Sequence, residues 1–452
     1  MMDGGIAIPF LLFWLTDFLR YMVTDLVVAA FELRRRWHGR TAGSTAIPAQ
    51  APLVSVVMAG FNEADTMPLT LASLAEQSWP NLEVIVIDDG SEDGTSDQVR
   101  AFLARHAGGC GPAPWCRLVT LRRRNGKAAA LNLGLALARG EYIVYVDADT
   151  TFTSNAIFEI IRPMLEDPDC GAVGGNVVAR NAAQNLLTQL VALEYLFSIS
   201  VGRRFRSLVN MLHIISGAFG AFRRDVIDSV GGHTPTSGND GDLTLKVRRV
   251  AKRLVFAERA LCETKTPATL HALVKQRRRW DRNLVKNKLR RHRDLLDPRS
   301  TRFRLANALM IIDALVFNLV LGMRWIIVFT AVLWLAPEHL PRLLLLSYLI
   351  YVTADVFQLA LAQWIQPTPA SQRIAQWLHL PLYPLYKSFF RLVRLYSYIE
   401  EFGRQASYAD VFAPTAVSRA ALAYDNAGRM HLRQLLRALL WPWRRSAEET
   451  PP

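Results

Sequence analysis

Between Leu53 and Val146 the chain alternates short Val/Ile-rich runs with stretches whose apolar residues recur at helical spacing, and this rhythm restricts the fold more than any other feature. The runs Val54 to Ala59, Leu82 to Ile87, Arg117 to Leu121 and Glu141 to Val146 each end at turn or acidic residues. Ala64 to Gln77, Gly94 to Arg105 and Lys127 to Ala138 carry the helical pattern between them. Strand, helix, strand, helix predicts a doubly wound, mostly parallel α/β sheet, whose ligands gather beyond the carboxyl ends of the strands. No Gly-x-Gly-x-x-Gly follows the first run and no phosphate loop ends in Gly-Lys-Ser/Thr, which argues against a nicotinamide enzyme and a P-loop NTPase.

Apolar stretches flank this region. Residues 6 to 31 are long enough to cross a bilayer, which takes about 20 residues. The basic run Arg34 to Arg40 that follows then lies on the cytoplasmic side. Two readings accommodate the charges within the segment: Arg20 pairs with Asp17 one turn earlier, or the segment lies partly in the interface. After Asp297-Pro298, Leu305 to Ala336 reads as one tilted helix or two elements, and Leu343 to Trp364 as a crossing that contains Asp355. Trp377 to Ile399 reads as a third crossing or a kinked interfacial helix, and it carries Lys387. In 452 residues there is room for one α/β unit of about 250 residues and a membrane part. A formal charge of +14 beside 51% hydrophobic residues suits contact with anionic headgroups and an anionic substrate, and no nucleic acid is expected. Cys110, Cys116, Cys170 and Cys262 show neither zinc spacing nor a secreted disulfide framework, so they are read as reduced thiols.

The chemistry-bearing residues fall at the strand ends. Ala59-Gly60-Phe61-Asn62-Glu63 follows the first run, Asp88-Asp89-Gly90 ends the second, and Asn125-Gly126-Lys127 opens a helix after the third. Amides at a helix N-terminus and an ammonium suit phosphate oxygens. Asp147-Ala148-Asp149 closes the fourth run with the paired carboxylates that a hard divalent cation accepts. Further on come Ser216-Gly217-Ala218, the acidic patch Asn239-Asp240-Gly241-Asp242, and Gln276-Arg277-Arg278-Arg279-Trp280 on a basic helix. Gln276, Arg279 and Trp280 recur at three- and four-residue spacing and so share a face. The basic helix suits a diphosphate, an anionic lipid surface, or both.

Across roughly residues 53 to 298 these motifs resemble the family 2 inverting glycosyltransferases of the membrane-embedded type, which includes hyaluronan, chitin-oligosaccharide, poly-N-acetylglucosamine and cellulose synthases. The resemblance implies a GT-A nucleotide-binding catalytic domain at 53–298, a membrane helix with a basic flank at 1–40, transmembrane and interfacial helices at 303–400, and a basic cytoplasmic tail at 401–452. It implies that Phe61, Glu63, Asp88, Asp89, Lys127 and Asp147 hold a UDP-sugar, and that Asp149 coordinates Mg²⁺ or Mn²⁺. Asp240 takes the position of the general base, with Asp242 as fallback. Ser216, Gly217, Ala218, Gln276, Arg279 and Trp280 would bind the diphosphate and the acceptor. Two departures stand out: Phe61 replaces the usual Tyr, and Asn239 stands where Glu is usual.

The expected activity is processive polymerisation of a UDP-sugar, UDP-GlcNAc before UDP-glucose, into a β-linked polysaccharide led out between the membrane helices. The expected site is the inner membrane, with a small membrane or export subunit as a further partner. A transferase that charges a lipid acceptor with one sugar is the rival reading.

Overall fold

The computed structural model describes residues 4–38, 47–106, 115–250, 253–301, 303–366, 368–409 and parts of 414–425. Cys110, Arg40, the Asp17 side chain and the basic tail beyond residue 425 lie outside the described residues. The strands are β1 (Val54–Gly60), β2 (Leu82–Asp88), β3 (Cys116–Thr120), β4 (Tyr142–Asp147), β5 (Thr150–Phe152), β6 (Cys170–Ala179), β7 (Phe219–Arg223) and β8 (Arg253–Thr264). They form one sheet in the order β3-β2-β1-β4-β7-β6-β8-β5. The four predicted runs make the parallel half, with β1 between β2 and β4. Their near-continuous burial accounts for the unbroken Val/Ile runs, because helices cover both faces of such strands. The other half is mixed: β7 runs antiparallel to β4 and β6, β5 antiparallel to β8, and β6 parallel to β8.

Register decides what the sheet can do. Gly60 of β1 lies opposite Asp88 of β2, Ala59 opposite Asp147 of β4, and Asp88 opposite Thr120 of β3. Four strand ends thus finish on one line, and the loops after them meet at one edge. Antiparallel β7 starts at this edge, so Ser216-Gly217-Ala218 enters beside Asp147, whose amide reaches the Ala218 carbonyl at 3.4 Å. Cys116, Cys170 and Cys262 are free and buried in the sheet, and burial pushes the Cys116 and Cys170 thiols up to about 12.

The helical part packs below. Among the described residues, two helices, Leu305–Leu335 and Pro337–Ile365, are long and apolar enough to cross a membrane. The first is continuous through a π turn at Val316–Val320. The third candidate divides into a short helix Ala370–His379 and the helix Tyr383–Arg404. Asp355 and Lys387 pair with each other at 2.6 Å, which explains a charge in each apolar stretch. The N-terminal helix Gly4–Trp37 directs Leu19, Val23 and Leu26 outward. Its Arg20 reaches Asp313 at 3.9 Å and lies 3.9 Å over the Phe317 ring, so its partners come from the helix beginning at Leu305. Glu32 is buried and holds Arg35, Arg36 and Arg204 at 3.0, 2.8 and 2.5 Å, fastening this helix to the sheet's helical cover.

Gly140 begins the turn into β4 where the backbone of β1 passes. A Cβ at 140 would stand 2.6 Å from the Ser55 amide nitrogen and 2.8 Å from the Leu53 carbonyl oxygen. Because backbone cannot step aside, Gly140→Ala is expected to lower stability by about 1–3 kcal/mol. Thermal denaturation of the detergent-solubilised protein measures this, and an unchanged melting temperature would show that the β1–β4 junction is looser than described.

Candidate active site

The loop after β1 is fixed to the loop after β2. The Asn62 amide donates to Ser91 Oγ at 2.9 Å, the Glu92 amide to Asn62 Oδ1 at 3.0 Å, and the Ala64 amide to Asp93 Oδ2 at 3.0 Å. Asn62 reaches this geometry with φ +58°, a conformation that Asn tolerates better than most side chains. Phe61 is covered on one face by the Arg124 guanidinium, 4.1 Å from the ring centroid. One of the three arginines before Asn125 is therefore placed against the loop after β1. Glu63 accepts from Thr66 Oγ1 at 2.6 Å, and burial with the nearby Asp149 and Asp147 carboxylates raises its pKa.

Asp88 and Asp89 both face inward. Asp88 is buried, accepting from the Ser91 amide at 2.9 Å and from the Ser96 hydroxyl. Asp89 accepts from the Asn125 and Gly126 amides at 2.7 and 2.8 Å, so it shapes the turn into the helix Lys127–Leu137. Burial raises the Asp89 pKa in spite of those two amides. Gly126 holds φ +91° in this turn, where a side chain would be strained.

Lys127 opens the helix and forms an ion pair with Asp147. Desolvation opposes its charge, but Asp147, Asp240 and Asp149 together raise its pKa. Asp149 accepts only long hydrogen bonds, from Thr150 Oγ1 at 3.2 Å and Thr264 Oγ1 at 3.4 Å. Burial and the Asp147 charge raise its pKa, with Lys127 opposing. A carboxylate so placed gains from a cation. Among the described residues no group of three or more His, Cys, Asp or Glu could hold a metal alone, so an ion at Asp149 would need oxygens from a substrate as well.

Asp240 arrives from the far side, in the first turn of the helix Asn239–Val250. A Cβ on Gly217 would stand 3.4 Å from Lys127 Nζ and 3.7 Å from Asp240 Cβ, so Gly217, Lys127 and Asp240 share one small space. Asp240 Oδ1 accepts from the Gly241 amide at 2.8 Å. Asp242 does not serve as the fallback base: it is fully buried, bonded to His292 Nε2 at 2.8 Å and Arg291 at 3.1 Å, and these neighbours hold its carboxyl far below the usual range. Asn239 places its amide 3.2 Å from His233 Nδ1. Burial, with Lys127 and Lys246, lowers His233 to about 3, so the ring is neutral and takes an amide partner without a charge.

The pentad lies on the helix Leu270–Val285, which continues through a π turn, Lys286–Arg291. Its arginines are committed to protein. Arg277 pairs with Glu194 at 2.8 Å, Arg278 with Glu400 at 2.6 Å, Arg282 also with Glu400, and Arg290 with Glu401. The lipid-facing role open to these arginines in the sequence thus gives way to clamping the Tyr383–Arg404 helix. Trp280 remains 43% exposed, with the Arg277 guanidinium 4.3 Å over its ring. Gln276 and Arg279 lie on its side of the helix by their spacing. Below them, Lys286 donates to Thr236 Oγ1 at 2.9 Å and to the Ser237 carbonyl at 2.5 Å, and Asn287 to the Gly238 carbonyl at 3.0 Å. These bonds hold the loop that delivers Asp240. Nothing in the spacing of Lys286 or Asn287 announces that task.

Residues 55–231 match glycosyl transferase family 2. A poly-beta-1,6-N-acetyl-D-glucosamine synthase from Staphylococcus epidermidis is 33% identical over 228 residues, 50% of this chain and 53% of the relative. The enzyme of the same description from Staphylococcus aureus strain MSSA476 is 30% identical over the same length. The chain thus spans about half the length of the curated relatives it matches. A mannosyltransferase from Pyrobaculum calidifontis, solved with GDP-mannose and Mn²⁺, superposes with a TM-score of 0.55 at 21% identity, covering 88% of this chain and 99% of that one, which establishes the GT-A fold.

Lys127→Met removes the charge that opposes the raised pKa of Asp149, so that folded pKa climbs further. A carboxyl with a raised folded pKa withdraws stability as pH climbs through it. The variant is expected to lose melting temperature relative to wild type as pH rises above about 4, and to bind UDP at least about tenfold more weakly. A pH profile parallel to wild type would remove Lys127 from the centre of the site.

Proposed function

We propose that this chain is an inverting, processive glycosyltransferase that polymerises a UDP-sugar, UDP-GlcNAc, into a β-linked polysaccharide and passes the product through a membrane from a cytoplasmic catalytic unit at 53–298. One observation carries the reading. Lys127, the Asp147–Asp149 pair and Asp240 come together at one sheet edge, with Gly217 between the ammonium and the Asp240 side chain. The names of the relatives favour UDP-GlcNAc over UDP-glucose. Two helices of membrane-crossing length and an outward apolar face on the N-terminal helix support the membrane setting.

The division of labour follows from the geometry. Phe61, braced by Arg124, offers an apolar face to a base, while Glu63 provides an acceptor beside it. Asp88 and Asp89 hold the two loops that form the nucleoside end. Lys127 and the amides opening its helix meet the diphosphate, with Arg279 as a second cation. Asp149, with Asp147 beside it, would hold Mg²⁺ or Mn²⁺, which neutralises charge on the leaving diphosphate when bound. Ser216, Gly217 and Ala218 leave room for a sugar ring, and Trp280 presents a flat face to the acceptor. Asp240 takes the proton of the acceptor hydroxyl as its oxygen bonds to the anomeric carbon. The bond from that carbon to the diphosphate breaks on the opposite side, UDP leaves, and the configuration inverts. Because no covalent intermediate is required, positioning and charge stabilisation supply the rate.

Asp240→Asn is expected to lower sugar transfer by at least about 10²-fold with UDP affinity nearly unchanged, because the base acts on the acceptor. Turnover near wild type would refute the assignment. Membranes carrying the protein, supplied separately with UDP-GlcNAc and UDP-glucose, with Mn²⁺ or EDTA, are expected to make a long labelled polymer from UDP-GlcNAc only, and only with the metal. Polymer from UDP-glucose alone would change the donor, and a product of one sugar on lipid would replace polymerisation by single transfer.

A further inference from the structure

Away from the sheet edge, a cavity of about 670 Å³ lies among the N-terminal helix, the helices that begin at Leu305 and Leu340, and the helix Tyr383–Arg404. Much of its wall is apolar, including Leu19, Val23, Phe317 and Leu321. Its charged groups are unevenly matched. Lys387 is neutralised by Asp355 at 2.6 Å and Arg394 by Asp281 at 3.2 Å. At the other end Arg20 and Arg206 share a single carboxylate, Asp313, and reach it only at 3.9 and 3.8 Å, too far for a hydrogen bond.

Lys288 adds to this excess. It is 4% exposed, and its ammonium has no hydrogen-bond partner among the described residues. Burial, with Arg206 next, lowers its pKa to about 7, and Asp313 is the carboxylate that opposes the shift. Burial and Arg20 likewise bring Arg206 down to about 10, and His213 is held well below its usual range by burial and by Lys288, Arg206, Arg203 and Arg20. Cations that depress one another around one distant carboxylate are costly in a folded protein unless an anion completes the set. A phosphate oxygen accepts strong hydrogen bonds from guanidinium and ammonium groups alike.

We propose that Arg20 and Arg206, with the buried charge of Lys288 behind them, form a site for the phosphate of an anionic lipid, whose acyl chain lies along the apolar walls of the cavity. The walls favour a lipid over a free anion, because the cationic end and the apolar surface belong to one space bounded by helices of membrane-crossing length. The site is separate from the one that holds the nucleotide, and it stands whether or not the reaction proposed above is the right one.

The test uses the full chain in phosphatidylcholine nanodiscs, titrated with labelled phosphatidylglycerol. Wild type is expected to retain phosphatidylglycerol about tenfold over labelled phosphatidylcholine. Arg206→Gln and Lys288→Met should each reduce that preference to near unity, while Lys288→Arg retains it. Lys288→Met removes an unpaired buried charge, so it keeps the fold even where Arg206→Gln does not. Unchanged UDP binding confirms that each variant is folded. Displacement of the lipid by millimolar inorganic phosphate would overturn the lipid in favour of a small anion. Equal retention of the two lipids, or preference that survives Lys288→Met, would overturn the site.

Discussion

One ammonium balances three carboxylates drawn from distant parts of the chain, and the candidate site depends on that balance. Lys127 pairs with Asp147 and also feels Asp149 and Asp240. Remove the cation and the acids repel, so the loop after β3, the end of β4 and the helix Asn239–Val250 are coupled through one half-exposed ammonium. The parallel register of β1, β2 and β4 is the physical precondition, since a slip of one residue would turn Asp147 away from Lys127.

A second layer of charge keeps Asp240 beside Lys127. Lys286 and Asn287 hold the loop before Asp240, while Arg291 and His292 hold Asp242 two residues after it. The same helix is clamped to Tyr383–Arg404 through Glu400 and Glu401. Its Arg277 meets Glu194, which also accepts from the Tyr386 hydroxyl at 2.5 Å. The sheet edge and the helices beneath it are therefore joined by part-buried ion pairs. Such pairs tie geometry more than they add stability, because each charge has lost part of its water.

The parallel half of the fold was legible because each strand there is buried on both faces and therefore written as an unbroken apolar run. β6, β7 and β8 were not, since β6 and β7 are rich in small residues and β8 mixes charged with apolar positions, so neither carries a clear period. The strand-end acids, Lys127 and the pentad were likewise readable, as carboxylates and cations at turns and on one helix face are costly choices for packing alone. What each does was less so. Asp88 and Asp89 turn inward to shape loops, and Asp242 is an anchor for Arg291 and His292.

Sequence alone determined the strand and helix order, the chemistry available at the strand ends and the apolar character of the flanking helices, because these rest on local periodicity and residue type. Tertiary structure decided the partners. Arg20 meets Asp313, Arg277 and Arg278 of the pentad meet Glu194 and Glu400, Asn239 meets a neutral His233, and Lys288 has no hydrogen-bond partner among the described residues. The Arg20, Arg277 and Arg278 pairs each join segments remote along the chain. Charge pairing falls off with distance in space, and sequence spacing carries no record of that distance.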